Sequence, residues 1–100
     1  MKVRPRLAVT LGDVRGIGPE IVLKAAASRE VRDSADLVFI GPAGAGVEVD
    51  EQTGTWRSGD SAANAGRFAG RAIERAVALA LEEAVDGIVT APIDKAALLA

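Results

Sequence analysis

Two short stretches carry residue types suited to binding a ligand, and the first is rich in glycine. Gly12, Gly16 and Gly18 lie within seven residues, after the apolar run 7–11 and before an alanine-rich segment. Glycine lets the backbone take positive φ values or approach a ligand closely. Pro19 suits the first position of a helix, whose free N–H groups attract anions. The stretch therefore predicts a strand, a tight turn and a helix start with capacity for an anionic group.

The spacing of these glycines does not match the common nucleotide-binding patterns. Gly12-x-x-x-Gly16-x-Gly18 is neither the dinucleotide pattern G-x-G-x-x-G nor the P-loop pattern G-x-x-x-x-G-K-[ST]. Taken alone, it is a weak indication of an anion or nucleotide site. Asp13 can accept a ribose hydroxyl, help to hold a metal, or cap backbone N–H groups of its own turn. The residues alone leave these roles open.

The second stretch follows an apolar, strand-like run and ends in polar groups. Lys95 can bind a phosphate as a point charge, or be an ordinary surface lysine. Asp94 suits the N-cap of a helix, which is the interpretation we favour over a ligand contact. No catalytic residue and no metal ligand is identified. The candidate cofactor- or substrate-binding residues of the two stretches are Gly12, Asp13, Gly16, Gly18, Thr90, Asp94 and Lys95.

Composition excludes several classes of function. Histidine is absent, which removes the commonest general base and metal ligand, and cysteine is absent, which removes disulfides and thiolate chemistry. The lack of cysteine fits a cytoplasmic protein. The net charge of −2 is spread over mixed charges, unlike the basic footprint of a nucleic-acid binder. No apolar run is long enough to span a bilayer, so we expect neither nucleic acid nor a membrane as partner.

The elements that must position these residues alternate between strand and helix. Such alternation predicts an α/β fold of three layers with a mainly parallel sheet, built as a single unit over residues 1–100. Residues 41–60 form a loop-rich connection. We predict strands over 6–11, 35–40 (stopped by Gly41-Pro42) and 86–90, a minor strand at 47–49, helices over 19–28 and 61–83, a charged exit at 29–33, and a further helix from about Asp94.

Ligands of parallel α/β sheets bind at the carboxyl ends of strands. Loops 12–18 and 91–95 each follow a predicted strand. If those two strands are neighbours in the sheet, the two loops form one rim of a single cleft. The topology therefore decides whether the candidate residues belong to one site.

Several residues of the middle segment admit two interpretations. Trp56 can mark a partner surface or cover the edge of the core, and we favour the second because tryptophan usually buries most of its area. Arg67 and Arg71 lie one helical turn apart and can hold a phosphate, but a solvated face is favoured. Gly66 and Gly70 weaken a helix, so we interpret them as sites of close helix packing.

Both stretches resemble one known family. Residues 12–20 are similar to the opening G-D-P-A-G-I-G-P-E of the 4-hydroxythreonine-4-phosphate dehydrogenases (PdxA), and residues 85–95 are similar to that family's V-D-A-I-V-T-A-P-I-N-K. The helix between the two motifs also resembles the family. The opening further resembles the G-D-G-I-G-P-E of isocitrate and isopropylmalate dehydrogenases. The resemblance implies the N-terminal part of an isocitrate/isopropylmalate dehydrogenase-like fold.

The resemblance implies an enzyme of vitamin B6 (pyridoxal phosphate) biosynthesis. Such an enzyme, a cytoplasmic homodimer, uses NAD or NADP and a divalent metal to oxidise and decarboxylate 4-phosphohydroxy-L-threonine. The resemblance covers nearly all of this chain but about the first third of a family member. It places the family's His-Thr substrate pair and its three metal-binding histidines beyond Ala100. We therefore expect an incomplete dehydrogenase domain that is inactive alone.

The departures from the family motifs leave alternatives open. Val14 and Arg15 stand where the family has Pro-Ala, and Asp94 stands where it has Asn. The connection over residues 41–60 is also shorter than the family leads us to expect. One alternative is a non-catalytic α/β module that binds a phosphorylated metabolite or a partner chain. Another is a related dehydrogenase acting on phosphorylated threonate or erythronate.

Overall fold

A computed structural model describes residues 4–98 of the chain, which form one parallel sheet with helices on both faces. The strands and helices alternate from Arg6 onward. In chain order they are β1 (Arg6–Thr10), α1 (Gly18–Ala27), α2 (Arg29–Ser34), β2 (Asp36–Ala43), β3 (Glu51–Thr55), α3 (Ala62–Leu81), β4 (Gly87–Thr90) and α4 (Lys95–Leu98).

The four strands are all parallel and lie in the order β3-β2-β1-β4. In the register of the sheet, Val9 of β1 lies between Phe39 of β2 and Val89 of β4. The chain moves outward from β1 through β2 to β3, and α3 then returns it to β4 on the other side of β1. This reversal places a topological switch point between β1 and β4, where open α/β sheets bind ligands.

Successive residues of β1 face opposite layers, as the pleat of a strand requires. Ala8 packs in a core with Ala72 and Ala76 of α3, whereas Val9 packs with Val22 of α1. The small alanine side chains let α3 lie close to the sheet. The fold is therefore the predicted three-layer α/β arrangement.

Helix α3 is the longest element and buries one alanine-rich face. The Ser61 hydroxyl caps its start by accepting a hydrogen bond from the Asn64 N–H, at 3.1 Å. A Cβ added to Gly66 would clash with the Ala97 carbonyl oxygen of α4, whereas one added to Gly70 would meet only the tip of Leu98, at 3.1 Å. Close helix packing thus requires the glycine at position 66.

The prediction that Gly41-Pro42 stops the second strand is wrong, because β2 continues to Ala43. The missing side chain of Gly41 leaves room for Leu11, which packs against its Cα. Pro42 is fully buried and lies at the shift in register between β2 and β3. A proline without an N–H is tolerated in a strand at such an irregularity.

The minor strand predicted at 47–49 is also wrong, because the third strand is Glu51–Thr55. Val47 does not pair with a strand and is buried instead in the core that contains Val9 of β1 and Val22 of α1. Strand β3 is polar and lies at the edge of the sheet, so it lacks the alternation of apolar residues that would identify it.

The charged segment after α1 is a short helix rather than an irregular exit. The Ser28 hydroxyl accepts from the Val31 N–H at 3.5 Å and marks the start of α2. None of the six residues of α2 is buried. A helix without an apolar face has no periodicity in its sequence, which explains why it was not predicted.

Trp56, Arg67 and Arg71 each make a local contact within the fold. Trp56 is half-buried, and its backbone N–H donates to the Ala43 carbonyl at the end of β2. Arg67 donates to the side chain of Asn64, while Arg71 donates to the backbone carbonyl of Thr53 at 3.2 Å. The two guanidinium groups therefore have different partners. Among the helices of the described segment, none has the length and apolar character needed to cross a membrane.

Candidate functional site

The loops that follow β1 and β4 are in direct backbone contact. The Asp13 N–H donates to the Pro92 carbonyl oxygen at 3.0 Å. Gly12 has a φ of 71°, and a Cβ at this position would clash with the same carbonyl. Because β1 and β4 are neighbours in the sheet, the two loops form one rim, as their positions after strands predict.

Asp13 holds the turn of the first loop together. Its Oδ1 atom accepts from the Arg15 backbone N–H at 2.8 Å and from Nε at 3.1 Å, and its Oδ2 atom accepts from Nη2 at 2.6 Å. The Asp13 residue is 6% exposed. This bidentate pair is of the strong, charge-assisted kind. Of the roles that the sequence leaves open, the capping of local N–H groups is the one observed.

Asp94 connects the second loop to the same guanidinium. Its Oδ2 atom accepts from Nη2 of Arg15 at 2.9 Å. Its Oδ1 atom accepts from the N–H groups of Ala96 and Ala97, at 2.9 and 3.3 Å, at the start of α4. The prediction of a helix cap is confirmed, and the tie to the first loop is an additional role.

The charges of this cluster are fixed at neutral pH. The hydrogen bond from Arg15 lowers the pKa of the Asp13 carboxyl below its ordinary value of 3.8, although burial of the carboxyl opposes this shift. The same bond raises the pKa of the Arg15 guanidinium. One guanidinium and two carboxylates leave a single net negative charge. An acid with a lowered pKa and occupied oxygens is a poor general base.

A crevice of about 490 Å³ opens between the two loops. The crevice is wide open to solvent, so these residues form one wall and do not enclose a ligand. Helix α1 begins beside the crevice, and its N-cap residue, Ile17, provides no side-chain hydrogen bond to the helix start. The lining residues are Asp13, Arg15, Gly16, Ile17, Pro92, Ile93 and Asp94.

Three of the predicted site residues line the crevice: Asp13, Gly16 and Asp94. Gly12 and Gly18 lie beneath it and let the loops pack, since a Cβ at position 18 would clash with the Leu11 carbonyl oxygen. Their role in this structure is therefore to permit close packing of the backbone.

The other two predicted residues do not line the crevice. Thr90 lines a separate apolar cavity of about 240 Å³ between α1 and the sheet. Lys95 is exposed on the first turn of α4. Thr90 and Lys95 were predicted as site residues because they lie near Asp94 along the chain. In the fold, Thr90 on β4 and Lys95 on α4 both lie away from the crevice.

Arg15 is the functional candidate that the sequence prediction missed. The sequence shows Arg15 only as a departure from the family motif, with no partner for its charge. Its spacing from Asp13 permits the local pair, whereas the contact with Asp94 spans 79 positions and depends on the strand order. Arg15 and Asp94 are two of the residues that differ from the family motifs, and their opposite charges are the sequence signal of that contact.

The residues that the structure describes do not fit a metal centre. Within residues 4–98, no three side chains of Asp, Glu, His or Cys converge. Asp13 and Asp94 approach one another only through the guanidinium that neutralises them. The backbone at Gly16 is open on the crevice side, because a Cβ added there would approach only the Asp13 carbonyl oxygen, at 3.5 Å.

A family model and the individual relatives that match the sequence indicate the same family. The model of the family "Pyridoxal phosphate biosynthetic protein PdxA" matches residues 10–100. A 4-hydroxythreonine-4-phosphate dehydrogenase from a Synechococcus strain is 39% identical over 92% of this chain and 34% of its own. A D-threonate 4-phosphate dehydrogenase from Bordetella bronchiseptica is 35% identical over 94% of this chain and 36% of its own. The chain thus spans little more than a third of these relatives.

Solved structures give the same result for the fold. The 4-hydroxythreonine-4-phosphate dehydrogenase from Burkholderia phymatum matches 98% of this chain with a TM-score of 0.83 and 27% identity. The enzyme of the same name from Klebsiella pneumoniae matches 97% with a TM-score of 0.77 and 31% identity. Each match covers 39% of the solved chain.

Proposed function

The chain belongs to the PdxA family of pyridoxal phosphate biosynthetic proteins, and from this we propose that it forms part of an NAD(P)-dependent dehydrogenase of a small phosphorylated hydroxy acid. The substrate we propose is 4-phosphohydroxy-L-threonine, on the precedent of the Synechococcus relative's name. The observation that carries the proposal is the meeting of both motif loops around a crevice at the switch point. This is where the general rule for open α/β sheets locates a ligand.

In the proposed reaction, the substrate hydroxyl is oxidised and the resulting β-keto acid loses carbon dioxide. The nicotinamide cofactor, when bound, accepts the hydride. The residues of this chain shape one wall of the cleft and fix its charge. We assign proton abstraction to none of them, since the carboxylates of Asp13 and Asp94 are ion-paired with Arg15.

The remaining features of the proposed enzyme follow from the family. We propose that a divalent metal takes part, held by groups other than the residues 4–98, which do not fit a metal centre. We also propose a homo-oligomer that works in the cytoplasm.

D-Threonate 4-phosphate is a second candidate substrate, because the Bordetella bronchiseptica relative carries that name at 35% identity. Both candidate substrates are four-carbon hydroxy acids with a terminal phosphate. They differ at C2, where one bears an amine and the other a hydroxyl. The crevice residues of this chain do not separate the two, so both belong in the assay.

The proposal is tested with a chimaera in which residues 1–100 replace the matching segment of the Synechococcus enzyme. Formation of NADH or NADPH is measured with each candidate substrate and Mg²⁺ or Zn²⁺, beside the parent enzyme and residues 1–100 alone. We expect the chimaera to turn over a substrate and the isolated chain to be inactive.

Two results would contradict the proposal. A chimaera that is monodisperse and helical by circular dichroism but inactive would favour the non-catalytic module, particularly if it bound the phosphorylated metabolite. Metal-dependent turnover by residues 1–100 alone would refute the assignment of the chemistry to groups outside this chain.

A further inference from the structure

One guanidinium is shared by carboxylates from both sides of the crevice. Nη2 of Arg15 lies 2.6 Å from Oδ2 of Asp13 and 2.9 Å from Oδ2 of Asp94. Asp13 is buried and local to the turn, whereas Asp94 is on the opposite loop and 46% exposed at its side chain. Asp13 therefore fixes the position of Arg15, and Asp94 adds a second negative charge at the open side.

The negative charge of Asp94 determines whether the guanidinium of Arg15 can bind an anion. If Arg15 were paired with Asp13 alone, the cluster would be neutral. The N–H donors of Arg15 that face the crevice would then be available to bind an anion. With Asp94 in place the cluster has a net charge of −1 and repels anions. Arg15 and Asp94 are also two of the positions at which the chain departs from the PdxA motifs, and they carry opposite charges.

We propose that Asp94 is a specificity-determining residue: by binding Arg15, it excludes phosphate and other anionic groups from the crevice and reserves it for a neutral, hydrogen-bonding part of a ligand. The inference rests on the proposed function in one respect. The phosphate of the phosphorylated substrate must then bind outside the crevice lined by Asp13, Arg15 and Asp94.

The test is a titration of the ¹⁵N-labelled 100-residue chain with inorganic phosphate at constant ionic strength, followed by the amide signals of Gly16, Ile17 and Gly18. The variant is Asp94→Asn, because asparagine caps helices as well as aspartate does and preserves the start of α4. One unit charge at about 4 Å changes an equilibrium at least several-fold, even near water's dielectric constant. We expect saturable shifts of these amides in Asp94→Asn and only weak, non-saturating shifts in the unmodified chain over the same phosphate range, a difference in affinity of about tenfold or more.

The matched control is Glu51→Gln, which removes one charge from another Arg–carboxylate pair, Arg75 to Glu51 at 2.7 Å, distant from the crevice. We expect it to leave the three amide signals unchanged on phosphate addition. The double variant Arg15→Gln/Asp94→Asn should lose the gained affinity, since the guanidinium is then absent. Asp94→Ser, which also caps a helix, provides a second removal of the charge.

Three outcomes would overturn the inference. They are saturable phosphate binding at these amides in the unmodified chain, an equal gain in Glu51→Gln, or a gain that persists in the double variant. Because the readout is phosphate binding by this chain, it is independent of turnover. An inactive chimaera would contradict the proposed function and leave this result standing, and the reverse also holds.

Discussion

Asp13 shows how one buried carboxylate organises the candidate site. It accepts three hydrogen bonds from Arg15, and its own N–H donates to the Pro92 carbonyl of the second loop. The ion pair is largely removed from water on the Asp13 side, so solvent screens it less than it would a surface pair. Asp13 therefore contributes both to the charge of the crevice and to the stability of the turn.

We expect the variant Asp13→Asn to be less stable at pH 7 by about 1–3 kcal/mol, as is usual for the loss of a charged hydrogen bond. The pKa of Asp13 is lowered in the folded state, so its contribution is complete above the unfolded pKa, near 3.8, and is lost as the pH falls through the folded pKa. Urea unfolding between pH 7 and pH 2.5 should show the two proteins converging below pH 3.8.

The control for this prediction is Asp33→Asn, whose side chain is 73% exposed and lies 4.0 Å from Arg29. Its stability should stay within about 0.5 kcal/mol of the unmodified chain at neutral pH, as exposed pairs contribute little. A stability difference for Asp13→Asn that stays constant down to pH 2.5 would show that charge is not its cause.

The site was partly predictable from its residues. The glycines after a strand and the proline at a helix start predict the turn, and Asp94 before a helix predicts the cap. Both predictions use residue preferences that act over a few positions of the chain. The contact of Arg15 with Asp94 was not predictable in the same way. It depends on β4 lying beside β1, which no local pattern specifies.

At the scale of elements, the crossing of α3 and α4 determines where Asp94 lies. We expect Gly66→Ala to destabilise the chain by about 1–3 kcal/mol, the usual cost of overpacking, because the added Cβ would clash with the Ala97 carbonyl. Backbone of α4 must then move, and the Asp94 cap moves with it. Urea unfolding would give the stability, and the ¹⁵N signals of Ala96 and Ala97 would report the cap.

Gly70→Ala is the matched control on the same helix. Its Cβ would meet only the end of the flexible, partly exposed Leu98 side chain, at 3.1 Å. Alanine is favoured over glycine in a helix by about 1 kcal/mol, so this variant should be as stable as the unmodified chain or more so. Equal destabilisation by both substitutions would contradict the role assigned to Gly66.

The elements differ in how far the sequence specifies them. Helix α3 was predicted because alanines recur at helical spacing over 20 residues. Strand β3 was not, because Glu51–Thr55 is polar and its pairing with β2 decides its conformation. Likewise, Pro42 signals a break locally, but tertiary packing buries it within β2 at a register shift.

For the molecule as a whole, the two faces of the sheet are covered unequally. Helix α3 buries seven residues against one face, whereas α1 buries Gly18, Pro19 and Val22, and α2 buries none. An apolar cavity of about 240 Å³ separates α1 from the sheet. On the edge strand β4, Ile88 and Val89 are 39% and 47% exposed. The α3 face is thus the better packed half of the core.

This asymmetry predicts two levels of stability within one chain. Few buried contacts favour local opening, so amides of α1 should exchange with solvent at a lower free energy than those of α3, β1 and β2. Leu79→Ala, at a position 8% exposed, should lower the protection of α3, β1 and β2 by about 2–5 kcal/mol, because its core opens only on global unfolding. The protection of α1 should change little as long as local opening remains its easier route of exchange.

Val22→Ala, at a position 3% exposed, should instead lower the protection of α1 and α3 alike by about 1.5 kcal/mol, from the two buried carbons lost, because Val22 is exposed both when α1 opens locally and when the whole chain unfolds. Native-state hydrogen exchange at pH 7 distinguishes the two variants residue by residue. A single free energy of exchange for α1 and α3, shifted equally by both substitutions, would show one cooperative unit. The predicted pattern would mean that the start of α1, which borders the crevice, can rearrange while the sheet that positions Asp13 and Asp94 stays folded.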